Sequence, residues 1–326
     1  MLREFLTSQT IITPQIDFLL YLQNMREAAN GAFDQLILFL TTFGETLIPF
    51  TIMCLIYWCF SPKAGVFLFS LNGISIFWAQ VFKTVACIYR PWVLSDSVHP
   101  QADALLRSGG YSFPSGHSTM ASSSFGGMAY LLRKNKIVCG LLILLVLAVC
   151  FSRLYLGVHT PQDVIVGALT GFLLIFPIAK CIDICEKDKN KYLYLLAILD
   201  IFALGVMFFI CFKSYPADYI GGKLLVSPLS AKYTGVIHIG MSIGAINGAF
   251  LCRRFFPFEP QKYSAKAKTV ISLVGLVCSM FILHLLDVYV WGKQCDFKIA
   301  FLSGFFSTFF LIGIYPFIFT KLIKEK

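Results

Sequence analysis

The chain has 326 residues, of which 57% are hydrophobic and only 13% charged, and its formal net charge is +10. A soluble globular domain carries about 25% charged residues, so this composition excludes an ordinary soluble domain and predicts a surface that faces lipid. The basic residues are scattered over short loops, which fits attraction to anionic lipid and gives no reason to invoke a nucleic-acid partner.

In chain order, residues 1–41 form an N-terminal segment whose stretch 14–41 is polar and amphipathic, read as one or two interfacial helices. It lacks the basic start and compact apolar core of a cleavable signal peptide. A transmembrane helix needs roughly 20 mostly apolar residues. Nine windows qualify: 42–60, 64–88, 115–133, 137–155, 161–181, 192–213, 233–252, 269–291 and 298–320. The first is the weakest, with Glu45 near its outer end. The expected fold class is therefore all-α, a polytopic membrane helix bundle of about nine spans with an N-terminal interfacial helix. Residues 42–190 would form its core and 191–326 an extension of four spans. Sixteen of the 27 Lys and Arg residues fall in loops 61–63, 133–136, 180–191, 253–268 and 321–326, and eight in the opposite loops. The positive-inside rule makes the first set cytoplasmic and puts the N-terminus outside. Most of the 11 cysteines lie inside spans, where they act as small apolar residues. Cys181 and Cys185 have no nearby His or second Cys pair to complete a metal site.

Three polar islands fall on one outer face, where ionisable residues at span edges are costly and so are functional candidates. "KTVACIYRP" ends the second span. Its Lys83 and Arg90 are seven residues apart, two helical turns, and share a face that could reach one multiply charged anion. Snorkelling to the interface accounts for Arg90, but poorly for Lys83, which lies two turns deeper. "PSGH" opens the third span: Ser115 can cap, Gly116 lets the backbone approach a ligand, and free amides at a helix start favour anions beside His117. "SRLYLGVHTPQD" joins the fourth and fifth spans. Asp163 there can close the new helix as a reciprocal cap or accept a hydrogen bond from His159, leaving the other imidazole nitrogen free as a nucleophile, and the two roles are compatible. Arg153 adds a planar fork suited to phosphate oxygens.

Together the islands supply three cations, two histidines, one carboxylate and a helix start, an inventory that suits phosphoryl transfer. One histidine would attack phosphorus and the other protonate the leaving oxygen. No carboxylate cluster is present for Mg²⁺ or Zn²⁺, so the expected mechanism needs no metal and no other cofactor. The ordered set of Lys83, Arg90 and Pro91, then Pro114, Ser115, Gly116 and His117, then Ser152, Arg153, His159 and Asp163 resembles the three-part signature of the type-2 phosphatidic acid phosphatase superfamily. That group includes lipid phosphate phosphatases, glucose-6-phosphatase and the vanadium-dependent haloperoxidases. The resemblance covers roughly residues 64–181. It implies that His159 is the nucleophile that forms a phosphohistidine, that Asp163 orients it, and that His117 is the general acid and then the base. It further implies that Lys83, Arg90, Ser115, Gly116 and Arg153 hold the phosphate oxygens. The spans leave no place for a soluble haloperoxidase, though vanadate should inhibit as a phosphate mimic.

The expected activity is thus a membrane-bound phosphoric ester hydrolase in phospholipid metabolism, acting on lipid phosphate monoesters or diphosphates. Its partners would be that substrate and the bilayer. The site would face outward from the cytoplasmic (plasma) membrane of a bacterium. A sugar phosphatase resembling glucose-6-phosphatase and a phosphotransferase are the alternatives. A transporter or flippase is more distant, because the charges gather at one face and no repeat is visible. The loop 92–113 should overhang the site as a lid whose Asp96, His99, Asp103 and Arg107 are solvated. His284 with Asp287, and His238, Asp200 and Asn247, read as structural polar contacts between helices.

Overall fold

The structure, a computed structural model, describes residues 2–220, 222–289 and 296–323. It is built of helices α1 (Leu2–Leu6), α2 (Gln9–Ala28), α3 (Asp34–Thr41), α4 (Leu47–Leu55), α5 (Pro62–Ala86), α6 (Pro91–Leu94), α7 (Ala102–Leu106), α8 (Gly116–Ala121), α9 (Gly127–Leu131), α10 (Lys136–Tyr155), α11 (Pro161–Lys187) and α12 (Lys189–Phe212). A short antiparallel hairpin, β1 (Tyr219–Ile220) with β2 (Lys223–Leu224), precedes α13 (Pro228–Phe255), α14 (Ala265–Tyr289), α15 (Phe297–Phe309) and α16 (Tyr315–Leu322).

Among the described residues, seven helices are long and apolar enough to cross a membrane, and eight if the bent pair Asp34–Gly44 and Leu47–Phe60 is one span. The fold is the expected all-α polytopic bundle, but the count of nine is not reached. The window 42–60 counts only as part of that bent pair, and the window 115–133 holds continuous helix only over Gly116–Leu131. It is α8 and α9 joined by a π-helical turn, Ser122–Gly126, and its middle is buried in protein. Its hydroxyls bond to carbonyls of the preceding turn, Thr119 Oγ1 to Ser115 at 3.0 Å and Ser123 Oγ to Thr119 at 2.8 Å.

The chain divides into two compact units. The first comprises Met1–Pro49, Trp78–Leu173 and Lys213–Ala231; the second comprises Phe50–Phe77, Leu174–Phe212 and Lys232–Lys326. In the first, α10 packs against α2, α3, α8 and α9. One face of α2 buries Ile12, Ile16, Leu19, Leu22, Gln23 and Arg26, and Ile12 and Ile16 pack on Val98. Its opposite face exposes Phe18, Tyr21 and Met25, the pattern of a helix lying along an interface.

In the second unit, Gly240, Gly244 and Gly248 recur one turn apart on α13. A Cβ at these positions would meet the carbonyl oxygens of Phe301, Phe305 and Phe309 on α15. Small residues at this spacing let two membrane helices approach backbone to backbone. Trp58 Nε1 donates to Leu311 O at 3.3 Å, and its ring meets Tyr315 edge-on at 5.1 Å. Asn247 Nδ2 donates to both Asp200 oxygens at 3.0 and 3.2 Å, a polar contact between helices as expected. His238 bonds the Thr234 carbonyl of its own helix at 2.7 Å. His284 is exposed, and the Asp287 side chain lies outside the described residues.

Candidate active site

All eight candidate site residues fall in the first compact unit. The three islands meet through hydrogen bonds that sequence spacing alone does not specify. The amide of Ser115 donates to the carbonyl of Asp163 at 2.8 Å, which ties the start of α8 to the first turn of α11. Arg90 joins the first island to the third. Its Nη1 reaches the Val158 carbonyl and His159 Nε2, each at 2.9 Å.

This contact fixes the imidazole tautomer. A guanidinium only donates, so His159 Nε2 must accept and the proton must sit on Nδ1. Nδ1 then faces Asp163 Oδ2 and Ser112 Oγ, both at 3.3 Å. Asp163 is fully buried, and its Oδ2 accepts from Ser112 Oγ at 2.6 Å and from the Thr160 amide at 2.9 Å. The carboxylate therefore caps α11 and faces the histidine at once, as the compatible readings of Asp163 anticipate. His159 is only 2% exposed. Burial, and then the charges of Arg90, Arg153 and Lys83 and the nearby His117, hold its imidazole well below the ordinary 6.5. It is neutral at pH 7, with the Nε2 lone pair accepting from Arg90.

The cations hold backbone as well as facing the site. Lys83 Nζ donates to the carbonyls of Tyr111 (2.9 Å), Ser112 (3.4 Å) and Pro114 (3.0 Å). Arg90 donates to those of Gly109 (2.7 Å) and Gly110 (3.3 Å). The strand of chain 109–114 is thus wrapped around the two cations. Arg153 is buried; its Nη1 donates to Thr41 Oγ1 at 2.7 Å and Nη2 to Ser108 Oγ at 3.3 Å, while its Nε has no partner among the described residues. Ser115 caps α8 by accepting from the Ser118 amide. A side chain at Gly116 would project into open space, with nothing within 4 Å. His117 is partly exposed and makes no hydrogen bond to a described residue. Behind it, Gly44 lies so close that an added Cβ would be 2.8 Å from His117 Cβ.

Several supporting residues carry almost no signal in the sequence. Ser112, Ser108 and Thr41 are ordinary hydroxyl residues whose only sequence signal is proximity to an island, and Thr41 has not even that. In loop 92–113, the side chains of Asp96, His99 and Arg107 are exposed as expected. The backbone, however, is fastened: the His99 amide donates to Gln23 Oε1 at 2.7 Å and its carbonyl accepts from Arg26 Nη2 at 2.6 Å. Arg107 pairs with Glu45 at 3.6 Å. Gln15 of α2 accepts from the Gln162 amide at 2.8 Å, one residue from Asp163.

The comparisons agree with this geometry. A family profile described as "PAP2 superfamily" matches residues 64–186, the stretch that holds all three islands. An undecaprenyl-diphosphatase of Sulfolobus acidocaldarius is 34% identical over 143 residues, 43% of this chain and 66% of that protein. A phosphatidylglycerophosphatase B of Bacillus subtilis is 32% identical over 124 residues, 35% of this chain and 60% of that protein. A glucose-6-phosphatase catalytic subunit 1 of Haplochromis xenognathus is 34% identical over 158 residues, 45% of this chain and 55% of that protein. The match thus spans under two thirds of each relative's length, and under half of this chain. No solved structure matches. The matched segment, the helical bundle and the meeting of the three islands point the same way: residues 64–186 are similar to the PAP2 superfamily.

Proposed function

We propose that this multi-pass membrane protein is a metal-independent phosphatase that hydrolyses lipid phosphate monoesters or diphosphates through a phosphohistidine. The observation that carries the reading is the buried His159, whose Nε2 lone pair is set by Arg90 on one side and whose Nδ1 faces Asp163 on the other. In the first step Nε2 attacks phosphorus, the Nε2–P bond forms, the P–O bond to the leaving group breaks, and His117 gives that oxygen its proton. In the second, His117 takes a proton from water, the hydroxide oxygen attacks phosphorus, and the Nε2–P bond breaks to release phosphate. Asp163 balances the charge that develops on the imidazole.

Lys83, Arg90, Arg153, Ser115 and the Gly116 amide hold the phosphate oxygens in this scheme. The unpartnered Arg153 Nε supports it as a buried donor awaiting an acceptor. Phosphate oxygens form stronger charge-assisted bonds than carbonyls, so substrate would draw Arg90 from Nε2 and expose the nucleophile. Among the described residues no three His, Cys, Asp or Glu side chains gather as a metal donor set. The relatives named for undecaprenyl diphosphate and phosphatidylglycerophosphate support a lipid substrate. The basic loops support a site on the non-cytoplasmic face of a bacterial plasma membrane. Residues 42–190 carry the chemistry in this scheme, and 191–326 the extension.

The test is phosphate release by the purified full chain in detergent, with EDTA, from a panel of phosphatidate, phosphatidylglycerol phosphate, polyprenyl diphosphate and glucose 6-phosphate. Release from the lipid members, undiminished by EDTA and abolished in His159→Ala, is the expected result. Release from glucose 6-phosphate alone would move the substrate class. Release from none, with transfer to an added alcohol, would make the protein a phosphotransferase.

A further inference from the structure

The segment 213–227, between α12 and α13, lies beyond the matched residues 64–186, yet it belongs to the compact unit that holds the active-site candidates. Its contacts converge on the two cations. The helix α5 carries Lys83 in its last turn and ends at Ala86, so the Thr84 carbonyl is among those left without a partner within the helix. Lys213 Nζ donates to that carbonyl and sits 3.2 Å from Cys87 Sγ. A cation on the final carbonyls also complements the helix dipole. Cys87, which ends the helix with a positive φ of 48°, is buried in one cluster with Tyr89, Tyr111 and Val226.

Tyr215 acts on the other side of the same site. Its ring lies parallel to that of Tyr111, with centroids 6.3 Å apart and planes within 10°. Lys213 Nζ stands 4.9 Å over the Tyr215 ring, so both residues form one block. The Tyr111 carbonyl is the acceptor closest to Lys83 Nζ. Tyr89, beside Arg90, donates from its hydroxyl to Asp218 Oδ2 at 2.8 Å, and Arg3 joins the same oxygen at 3.1 Å. The segment therefore grips the chain just after Lys83 and just before Arg90, and packs on Tyr111, whose carbonyl receives Lys83.

We propose that Lys213, Tyr215 and Asp218 are positioning residues of the phosphate site: they hold the end of α5 and the loop 109–114 in the register that aims Lys83 and Arg90. They touch neither His159 nor His117, so they act through the cations. This inference rests on the proposed role of those cations in binding phosphate, and it gives a catalytic reason for a segment outside the matched core.

The test is calorimetric titration of the full-length protein in detergent with orthophosphate, which needs no turnover. Tyr215→Leu and Lys213→Met should weaken orthophosphate binding roughly ten- to a hundredfold, the scale of a small misplacement of a binding group. The amides of 109–114 should then exchange hydrogen faster, while the melting temperature stays close to wild type. Tyr215→Phe and Lys213→Arg should restore binding. Unchanged affinity in both disruptive variants overturns the inference, and so does wild-type protein that binds no orthophosphate. If Tyr215→Leu fails to fold, Asp218→Asn with the same titration decides. Wild-type protein that binds orthophosphate but releases none from the lipid panel would defeat the hydrolase reading alone.

Discussion

Arg90 does two things to His159 with one nitrogen. Its Nη1 stands 2.9 Å from Nε2, which settles where the imidazole proton is and, in the proposed scheme, shields the lone pair until an anion arrives. Asp163 holds the other side of the ring, so Asp163→Asn should lower kcat by about 10³–10⁴-fold by upsetting the tautomer, with KM little changed. Steady-state kinetics check this, and a wild-type kcat in that variant would remove Asp163 from the mechanism. The pH dependence follows from the depressed imidazole. Below pH 6.5 the unfolded chain takes up a proton that buried His159 refuses, so stability falls as pH drops from 6.5 toward the lower folded value. For the same reason the acid limb of kcat/KM, corrected for ionisation of the substrate, should lie below pH 6.5, while loss of the proton that His117 must carry sets the limb on the alkaline side. An acid limb centred at 6.5 would mean that the nucleophile titrates as an ordinary imidazole.

At the scale of elements, the bend after α3 is as much part of the site as the signature helices. The 3₁₀ turn Thr42–Gly44 presses Gly44 against His117 and Val149, while Thr41 bonds Arg153. In Gly44→Ala the new Cβ, 2.8 Å from His117 Cβ, must push aside His117, the general acid of the proposed scheme. Turnover of an alkyl phosphate should drop by about 10²-fold. A dinitrophenyl phosphate, whose leaving group needs no proton, should lose far less. Equal loss on both substrates would show that His117 is not the acid. The helix α2 has a comparable role toward loop 92–113. Arg26 and Gln23 satisfy backbone groups of 97–99, so what looks from its composition like a free lid is anchored.

For the whole molecule, the chain builds two compact units that interleave along the sequence. The second draws stability from the close approach of α13 and α15. Gly244→Leu would force a side chain into the Phe305 carbonyl and Thr308. Overpacking of this kind costs about 1–3 kcal/mol, so the melting temperature should fall measurably. An unchanged melt would mean that the two helices do not depend on this contact.

Residue types at given spacings determined much of this protein by themselves. Long apolar runs can only be membrane helices, because backbone polar groups in lipid must be satisfied within the segment. The eleven signature residues marked the islands by their order and spacing, since Lys83 lies two turns deeper than snorkelling explains. Tertiary structure decided what no spacing encodes. By composition the window 115–133 is an ordinary span, but the fold buries its middle in protein. Ser112, Ser108, Thr41 and the segment 213–227 were silent in sequence, because a hydroxyl or a lysine has no meaning until the fold sets it beside an acceptor. Hydrogen bonds act over about 3 Å, and only the folded chain brings Lys213 to the Thr84 carbonyl, or Arg90 to His159, within the reach that gives each its role.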